Sequence, residues 1–350
     1  MKYPYGLMAD LHCHNWSAFA EYNKDGISSR LIDITNEMGR CCEAVFNAGG
    51  DTVVVAGDVF HTRGKINSIV FNWVKTVVKS MFDRYGIRWI IIDGNHDVIG
   101  DKSSLIGSTV ESLSGPYIEH WHCSGFNDKL TLVPWTKTKE DFKNNIDGLI
   151  ACGDGVDHLS KIDLICHAGV DGAVSGIPDR GDMGQKYFES LPFKRVFSGD
   201  YHNMKKFGDR VFSVGTPTYQ TWSSVGTTAG WWLVYEDKEE FYASHAPQFI
   251  ELNGKPNEFD LLEVDGNFVK AKLPNSSLSE MEKYRKLFND NGAKGVVFQF
   301  YEEEKTERGE IKVESLSIKG AVSRYIAEKK YPKTVMFICA NALDEVESDD

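Results

Sequence analysis

The chain reads as an α/β protein of layered sheets flanked by helices, with a small α+β domain near its end. From Gly6 to about Ser244, short apolar runs alternate with amphipathic stretches, as in sheets covered by helices. After Pro247 the composition shifts and a new strand, helix and strand signal begins. The length of 350 residues exceeds what one core usually holds, so a large domain with an appendage fits.

Taken in order, strands are expected at 6–9, 52–56, 89–92, 130–133, 162–166, 196–198, 211–214 and 231–235, each a short apolar run. Helices are expected at 29–48 and 67–85. In the first, Leu31, Ile34, Met38, Cys41, Cys42, Val45 and Ala48 recur at helical spacing and form one stripe. Trp231 and Trp232 alternate faces on their strand, which predicts one core residue and one free to make other contacts. The division expected is a large domain at 1–250, a small α+β domain at 251–312 and a closing segment at 313–350. The small domain carries a strand at 267–273, a helix at 278–289 and a strand at 295–301. Beyond it, Ile318, Val322, Tyr325 and Ile326 mark a helix at 317–329, followed by an acidic tail.

Hydrophobic content of 41% with 26% charged residues is ordinary for a folded soluble protein. A net charge of -12 argues against a surface that coats nucleic acid uniformly, since phosphate binding is driven by Lys and Arg. Local basic patches remain, at Lys194, Arg195, Lys205, Lys206 and Arg210 and at Lys283, Arg285 and Lys286, each equally readable as a solvated face. Seven cysteines without regular spacing form no disulfide framework, and Cys41 and Cys42 read as buried thiols. His120, His122 and Cys123 lack a second ligand pair at zinc-site spacing. The first ten residues lack the basic and apolar segments of a signal peptide, and the apolar runs are too short to span a bilayer, so a cytoplasmic location is expected.

Five segments place metal-capable side chains just after apolar strands, where open sheets present residues to a cleft. They are Asp10-Leu11-His12, Gly57-Asp58-Val59-Phe60-His61, Gly94-Asn95-His96-Asp97, Cys166-His167-Ala168 and Gly199-Asp200-Tyr201-His202. Asp10 and His12, two apart on extended chain, point the same way and can share one ion. Asp58 follows a glycine that permits a sharp turn, and its two oxygens can bridge two ions. Asn95 offers an amide oxygen, and His167 and His202 offer imidazole nitrogens. Mixed nitrogen and oxygen donors suit manganese, iron or zinc rather than calcium.

In order and spacing these segments resemble the calcineurin-like metallophosphoesterases, whose pattern runs Asp-x-His, Gly-Asp, Gly-Asn-His-Asp, His and Gly-His-x-His. The resemblance implies a four-layer αββα sandwich with a site for two divalent metal ions at one edge. Carried over, Asp10, His12, Asp58 and His202 hold one ion, and Asp58, Asn95, His167 and Asp200 the other. His96 is then the unligated histidine that serves phosphate or leaving group, with Asp97 orienting it. Asp200 departs from the family, which has histidine there. Its harder donor and added charge favour manganese or magnesium.

Within the superfamily, the stretch from Gly26 to Leu31 into Gly57-Asp58-Val59-Phe60, and that from Ile90 to Asp97, are similar to SbcD-type DNA nucleases beyond the ligands. Gly215-Thr216-Pro217 with Tyr219 and Trp222 resembles the Gly-Ser-Pro segment of the same nucleases, phage members in particular. That resemblance implies a metal-dependent DNA exonuclease with some endonuclease activity, acting in DNA repair and recombination. Its implied partners are DNA and an SbcC-type coiled-coil ATPase, with two nuclease chains in a heterotetramer. The small domain would cap DNA and the terminal helix would dock on the partner. His61 and Tyr201 are candidate substrate contacts, and His14 reads as an ordinary neighbour of the site. Two other readings compete: a phosphatase or cyclic nucleotide phosphodiesterase acting on small molecules, and a non-catalytic DNA-binding scaffold.

Overall fold

Alternation along three buried strands sets the architecture. In β1 (Tyr5–Met8), β2 (Thr52–Ala56) and β3 (Arg88–Ile92), Met8, Val53, Val55, Trp89 and Ile91 enter one apolar core. Their neighbours Leu7, Val54, Ala56, Ile90 and Ile92 enter another, because successive strand residues point to opposite faces. The structure, a computed structural model, describes residues 1–100, 105–152, 156–174, 183–274 and 277–301.

The first sheet has the order β14-β13-β1-β2-β3-β6, completed by β6 (Ile118–Trp121), β13 (Gly230–Val234) and β14 (Glu239–Ala243). β1, β2, β3 and β6 run parallel, and β13 is antiparallel to both its neighbours. The second sheet has the order β11-β12-β10-β9-β8-β7. It is built from β7 (Gly125–Phe126), β8 (Leu130–Val133), β9 (Asp163–His167), β10 (Val196–Gly199), β11 (Lys205–Phe207) and β12 (Val211–Ser213). Its four inner strands are parallel and its two edges antiparallel. A hairpin of β4 (Val98–Gly100) and β5 (Leu105–Ser108) follows the first sheet's third strand.

Helices α1 (Ser29–Asn47) and α2 (Ser68–Tyr85) cover the outer face of the first sheet, burying the Leu31-to-Val45 stripe against Met8, Val53 and Trp231. α1 is capped by Ser28, whose hydroxyl accepts from Leu31 N, and α2 ends on Gly86 at φ 70°. On the other side, α3 (Lys139–Cys152) and α5 (Gln185–Ser190) put Phe142, Ile146 and Phe188 on Leu164, Cys166 and Val196 of the second sheet, with the short α4 (Val156–Leu159) between them in sequence. Leu7, Val54, Ile165, Phe197 and Phe212 fill the space between the sheets. The result is the four-layer order of helix, sheet, sheet and helix.

Both sandwich faces being buried explains one departure from expectation. Trp231 packs toward α1 and Trp232 toward the second sheet, so both are core residues and neither is left for other contacts. The short strands β6, β11 and β14 carry charged residues at sheet margins and β7 is only two residues long, so none gives an apolar run to read.

A third sheet of β15 (Phe249–Asn253), β16 (Phe268–Pro274) and β17 (Gly295–Tyr301) is wholly parallel, with α6 (Glu258–Val264) and α7 (Leu278–Asp290) as its crossovers. Leu252, Val264, Val269, Leu273 and Phe288 form its own core, while Phe249 and Phe268 join Tyr219 and Ala229 in a separate cluster. Residues Met1–Tyr301 form one unit by their contacts. The helix expected at 317–329, the tail and the upper limit of the small domain lie outside the described residues. Among those described, no helix is long and apolar enough to cross a membrane.

Candidate metal centre

β1, β2 and β3 of one sheet and β9 and β10 of the other end on the same side of the sandwich, and every metal-capable segment lies at one of those ends. The backbone must turn sharply there to bring side chains together. Asp10, His12, Asp58 and Asp200 accordingly have φ of 52°, 44°, 56° and 91°, left-handed values that are unusual outside glycine. Gly57 and Gly94 make the crowding possible: an added Cβ would come 2.2 Å from His167 Nδ1 at the first and 2.1 Å from Asp58 Oδ1 at the second.

The side chains converge on two sides of Asp58. His12 Nε2 lies 3.0 Å from His202 Nε2, 3.5 Å from Asp58 Oδ2 and 4.0 Å from Asp10 Oδ1. His167 Nε2 lies 3.1 Å from Asn95 Oδ1, 3.7 Å from Asp58 Oδ1 and 3.8 Å from Asp200 Oδ1. Donors held about 2.1 Å from one ion lie within roughly 4.2 Å of each other. All six separations meet that limit, and the two oxygens of Asp58 face different groups.

Electrostatics agrees with a cation site. Asp10 is fully buried, and its Oδ1 has no hydrogen-bond partner among the described residues, while Oδ2 accepts from Asp200 N at 3.1 Å. An unpartnered buried carboxylate oxygen is costly without a counter-charge. Burial raises the Asp10 carboxyl well above the usual range, with His167 opposing and Asp58 and Asp200 adding to the rise. Burial and the neighbouring rings of His202, His96 and His61 hold His12 far below its ordinary value, so it is neutral and able to donate a lone pair. Burial pushes His167 down, but Asp58, Asp10 and Asp200 outweigh it and raise the imidazole to about 9. His167 Nδ1 pairs with Ala56 O at 2.7 Å, which leaves Nε2 for a ligand. The donor set therefore fits two divalent cations.

His96 stands beside these groups without joining them. Its backbone N donates to Asp58 Oδ1 at 2.8 Å, and its Nδ1 pairs with the carbonyl of His61. The orienting contact on His96 thus comes from His61, where the sequence reading assigns it to Asp97. The Asp97 carboxylate is instead taken up by the amides of Val59, Phe60 and Gly94, and so ties two ligand loops together. Burial, then Asp58, pushes its pKa up to about 7.

His61 lies over His96, with rings nearly parallel and 5.6 Å apart, and Trp16 lies behind it at 4.4 Å. Its Nδ1 is 3.4 Å from that of His12. His14, read from the sequence as an ordinary neighbour of the site, packs with its ring 5.2 Å from that of His61. Its place two residues beyond His12 was the available cue. Gln220 gave no such cue: its side chain donates to Asp10 O at 2.9 Å across the chain. Tyr201 is half-buried against Gly169 and lines a cleft of ≈ 360 Å³ with His167 and Asp200.

In the two basic patches only Arg195 is buried, while Lys205, Lys206, Arg210, Lys283, Arg285 and Lys286 are exposed, as a solvated face would be. Arg195 makes a buried two-pronged pair with Asp163, both bonds 2.8 Å, and Tyr5 OH donates to the same carboxylate at 2.9 Å. Lys206 pairs with Glu239 at 2.8 Å, Lys205 donates to Gly172 O, and Arg210 donates to Phe193 O.

The sequence profile of the Metallophos family, described as calcineurin-like phosphoesterase, matches residues 3–298. No curated protein matches the chain. Among solved structures, a dimetal phosphatase from Danio rerio is similar over 69% of this chain and 96% of that chain, at 10% identity and a TM-score of 0.39.

Proposed function

The chain belongs to the calcineurin-like phosphoesterase family, metal-dependent hydrolases of phosphoester bonds with a dimetal centre, and from that premise we propose that it is a nuclease acting on DNA phosphodiesters. Asp10, His12, Asp58 and His202 would hold one cation, and Asp58, Asn95, His167 and Asp200 the other. Two aspartates and an amide oxygen around the second position favour manganese, with magnesium, iron and zinc as alternatives. When bound, the pair supplies Lewis-acid polarisation of the phosphoryl group and lowers the pKa of an attacking water.

The rest falls to the chain. Asp97 fixes the loops of Asp58 and Asn95 against each other, so the ligand spacing is set before substrate arrives. His96, whose Nδ1–H is held by the His61 carbonyl, can donate from Nε2 to a phosphate oxygen or to the leaving oxygen in its imidazolium form. The buried carboxylates repel an anionic substrate unless cations neutralise them, which makes turnover strictly metal-dependent.

The observation that favours a polymer over a small phosphoester is the wall running from His96 through His61 to Trp16 and His14. A lone phosphate needs no such surface, whereas sugars and bases flanking a scissile phosphate do. The similarity to SbcD-type nucleases outside the ligands supports the same reading. It also supports partnership with an SbcC-type coiled-coil ATPase and pairing of two nuclease chains. The test is purified protein with manganese on linear duplex DNA, single-stranded DNA and a mononucleotide, beside His96→Asn. DNA cleavage lost in the variant is expected. Mononucleotide hydrolysis alone would point to a phosphatase, and DNA binding without turnover to a scaffold.

A further inference from the structure

The cleft beside His167, Asp200 and Tyr201 continues past Trp135, Thr136, Lys137 and Thr138, the loop between β8 and α3. Trp135 N donates to Asp93 O at 2.8 Å, so this loop is pinned to the strand end that leads into Asn95 and His96. The Trp135 ring is half-buried, and the Arg63 guanidinium lies 5.6 Å from its centroid. Arg63 and Lys137 are exposed, and among the described residues neither has a carboxylate partner. The basic side chains of the second sheet are tied up as described above, in a protein of net charge -12. Lys137 thus lines the cleft, and Arg63, whose Nε also donates to Val98 O at 3.3 Å, lies against the indole of the same loop. The N-terminus of α3 does not supply anion binding here, because Thr138 Oγ1 accepts from Asp141 N at 3.0 Å and Glu140 and Asp141 occupy the first turn.

We infer that this cleft seats the unpaired nucleotide next to the scissile phosphate, with its base on Trp135 and its outer phosphate on Lys137 and Arg63. This rests on the DNA-nuclease reading and adds a substrate form to it. A space of ≈ 360 Å³ is near the small end of ligand pockets, about 300–1,000 Å³, and has room for a single nucleotide rather than a duplex. Stacking on one indole accepts any base, so the site selects single-stranded ends by form and not by sequence. Lys137 and Arg63 would hold the strand by charge alone, which makes their contribution salt-dependent.

Binding of a fluorescein-labelled oligothymidylate with nuclease-resistant phosphorothioate linkages to the full chain, followed by anisotropy with manganese present so that the carboxylates are neutralised, reads this site without cutting. Trp135→Ala is expected to weaken binding on the order of 10-fold, and Trp135→Phe by less than about 3-fold. Lys137→Ala is expected to reduce the slope of log affinity against log salt by roughly 0.7. Thermal melting checks each variant; should Trp135→Ala not fold, Lys137→Ala and Trp135→Phe decide. Unchanged affinity in Trp135→Ala together with an unchanged salt slope in Lys137→Ala would overturn the assignment while wild-type cleavage of DNA kept the nuclease reading. A wild-type protein that neither binds the oligonucleotide nor cuts DNA, yet hydrolyses a mononucleotide, would remove both.

Discussion

Asp58 presents one oxygen to His12 and the other to His167, which is the arrangement a shared ligand needs. Beside it, His96 packs edge-on against the ring of His12, with centroids 4.7 Å apart, but is outside the assigned ligand set, so its exchange can be separated from metal binding. His96→Asn is expected to lower turnover by roughly 10²–10⁴-fold with metal stoichiometry unchanged, checked by kinetics and elemental analysis. Without cations, the value of about 9 for His167 means that it holds a proton at neutral pH, and burial shifts the Asp10 carboxyl in the direction of holding one too. A cation must displace them, so its affinity should rise as pH climbs toward about 9, where His167 deprotonates unaided. Calorimetry in buffers of different ionisation enthalpy would show the released protons, and a binding heat indifferent to buffer would refute the expectation. The positions that converge here were legible because each follows an apolar run and often a glycine. The duties of Asp97, His61 and Gln220 were not, since backbone amides and carbonyls from other loops decide them.

At the level of elements, the two sheets are joined at the end away from the metals by Asp163 of β9, which receives Arg195 and the Tyr5 hydroxyl of β1. Arg195 also donates to the carbonyls of Tyr235 and Lys238. Removing one partner leaves an uncompensated buried charge. Asp163→Ala should therefore cost about 3–5 kcal/mol in urea unfolding while the folded fraction still binds manganese. Loss of metal binding without loss of stability would contradict this division of labour. The inner strands were readable because both of their faces are buried and their residues are apolar almost throughout, as β2 shows with Thr52 to Ala56. The sheet margins were not, since β11 opens with two lysines and β14 with two glutamates, which break any apolar run. Arg30 could not have been foreseen: it is buried in α1 with its guanidinium over Trp16, Phe249 and Phe268, joining the third sheet to a residue that packs on His61. Arg30→Met should keep the helix but weaken that junction, seen as earlier proteolysis after Pro247.

For the molecule as a whole, four aspartates, Asp10, Asp58, Asp97 and Asp200, gather at one edge, three of them buried. Cations that bind the folded state alone add stability by mass action, about 2.7 kcal/mol at a concentration one hundred times Kd. Manganese should therefore raise the melting temperature of the native chain, and a chelator should lower it. The left-handed turn at Asp200 sharpens the point, since it forces a carboxylate into a conformation suited to glycine beside other acids. Stripped of its ions, the enzyme should be improved as a polymer by being spoiled as a catalyst. Asp200→Gly is expected to melt about 1–2 °C higher in chelator, and the parent should overtake it once manganese is added. Thermal robustness and competence would then trade places at a single side chain, with ionic supply deciding which sequence is the sturdier.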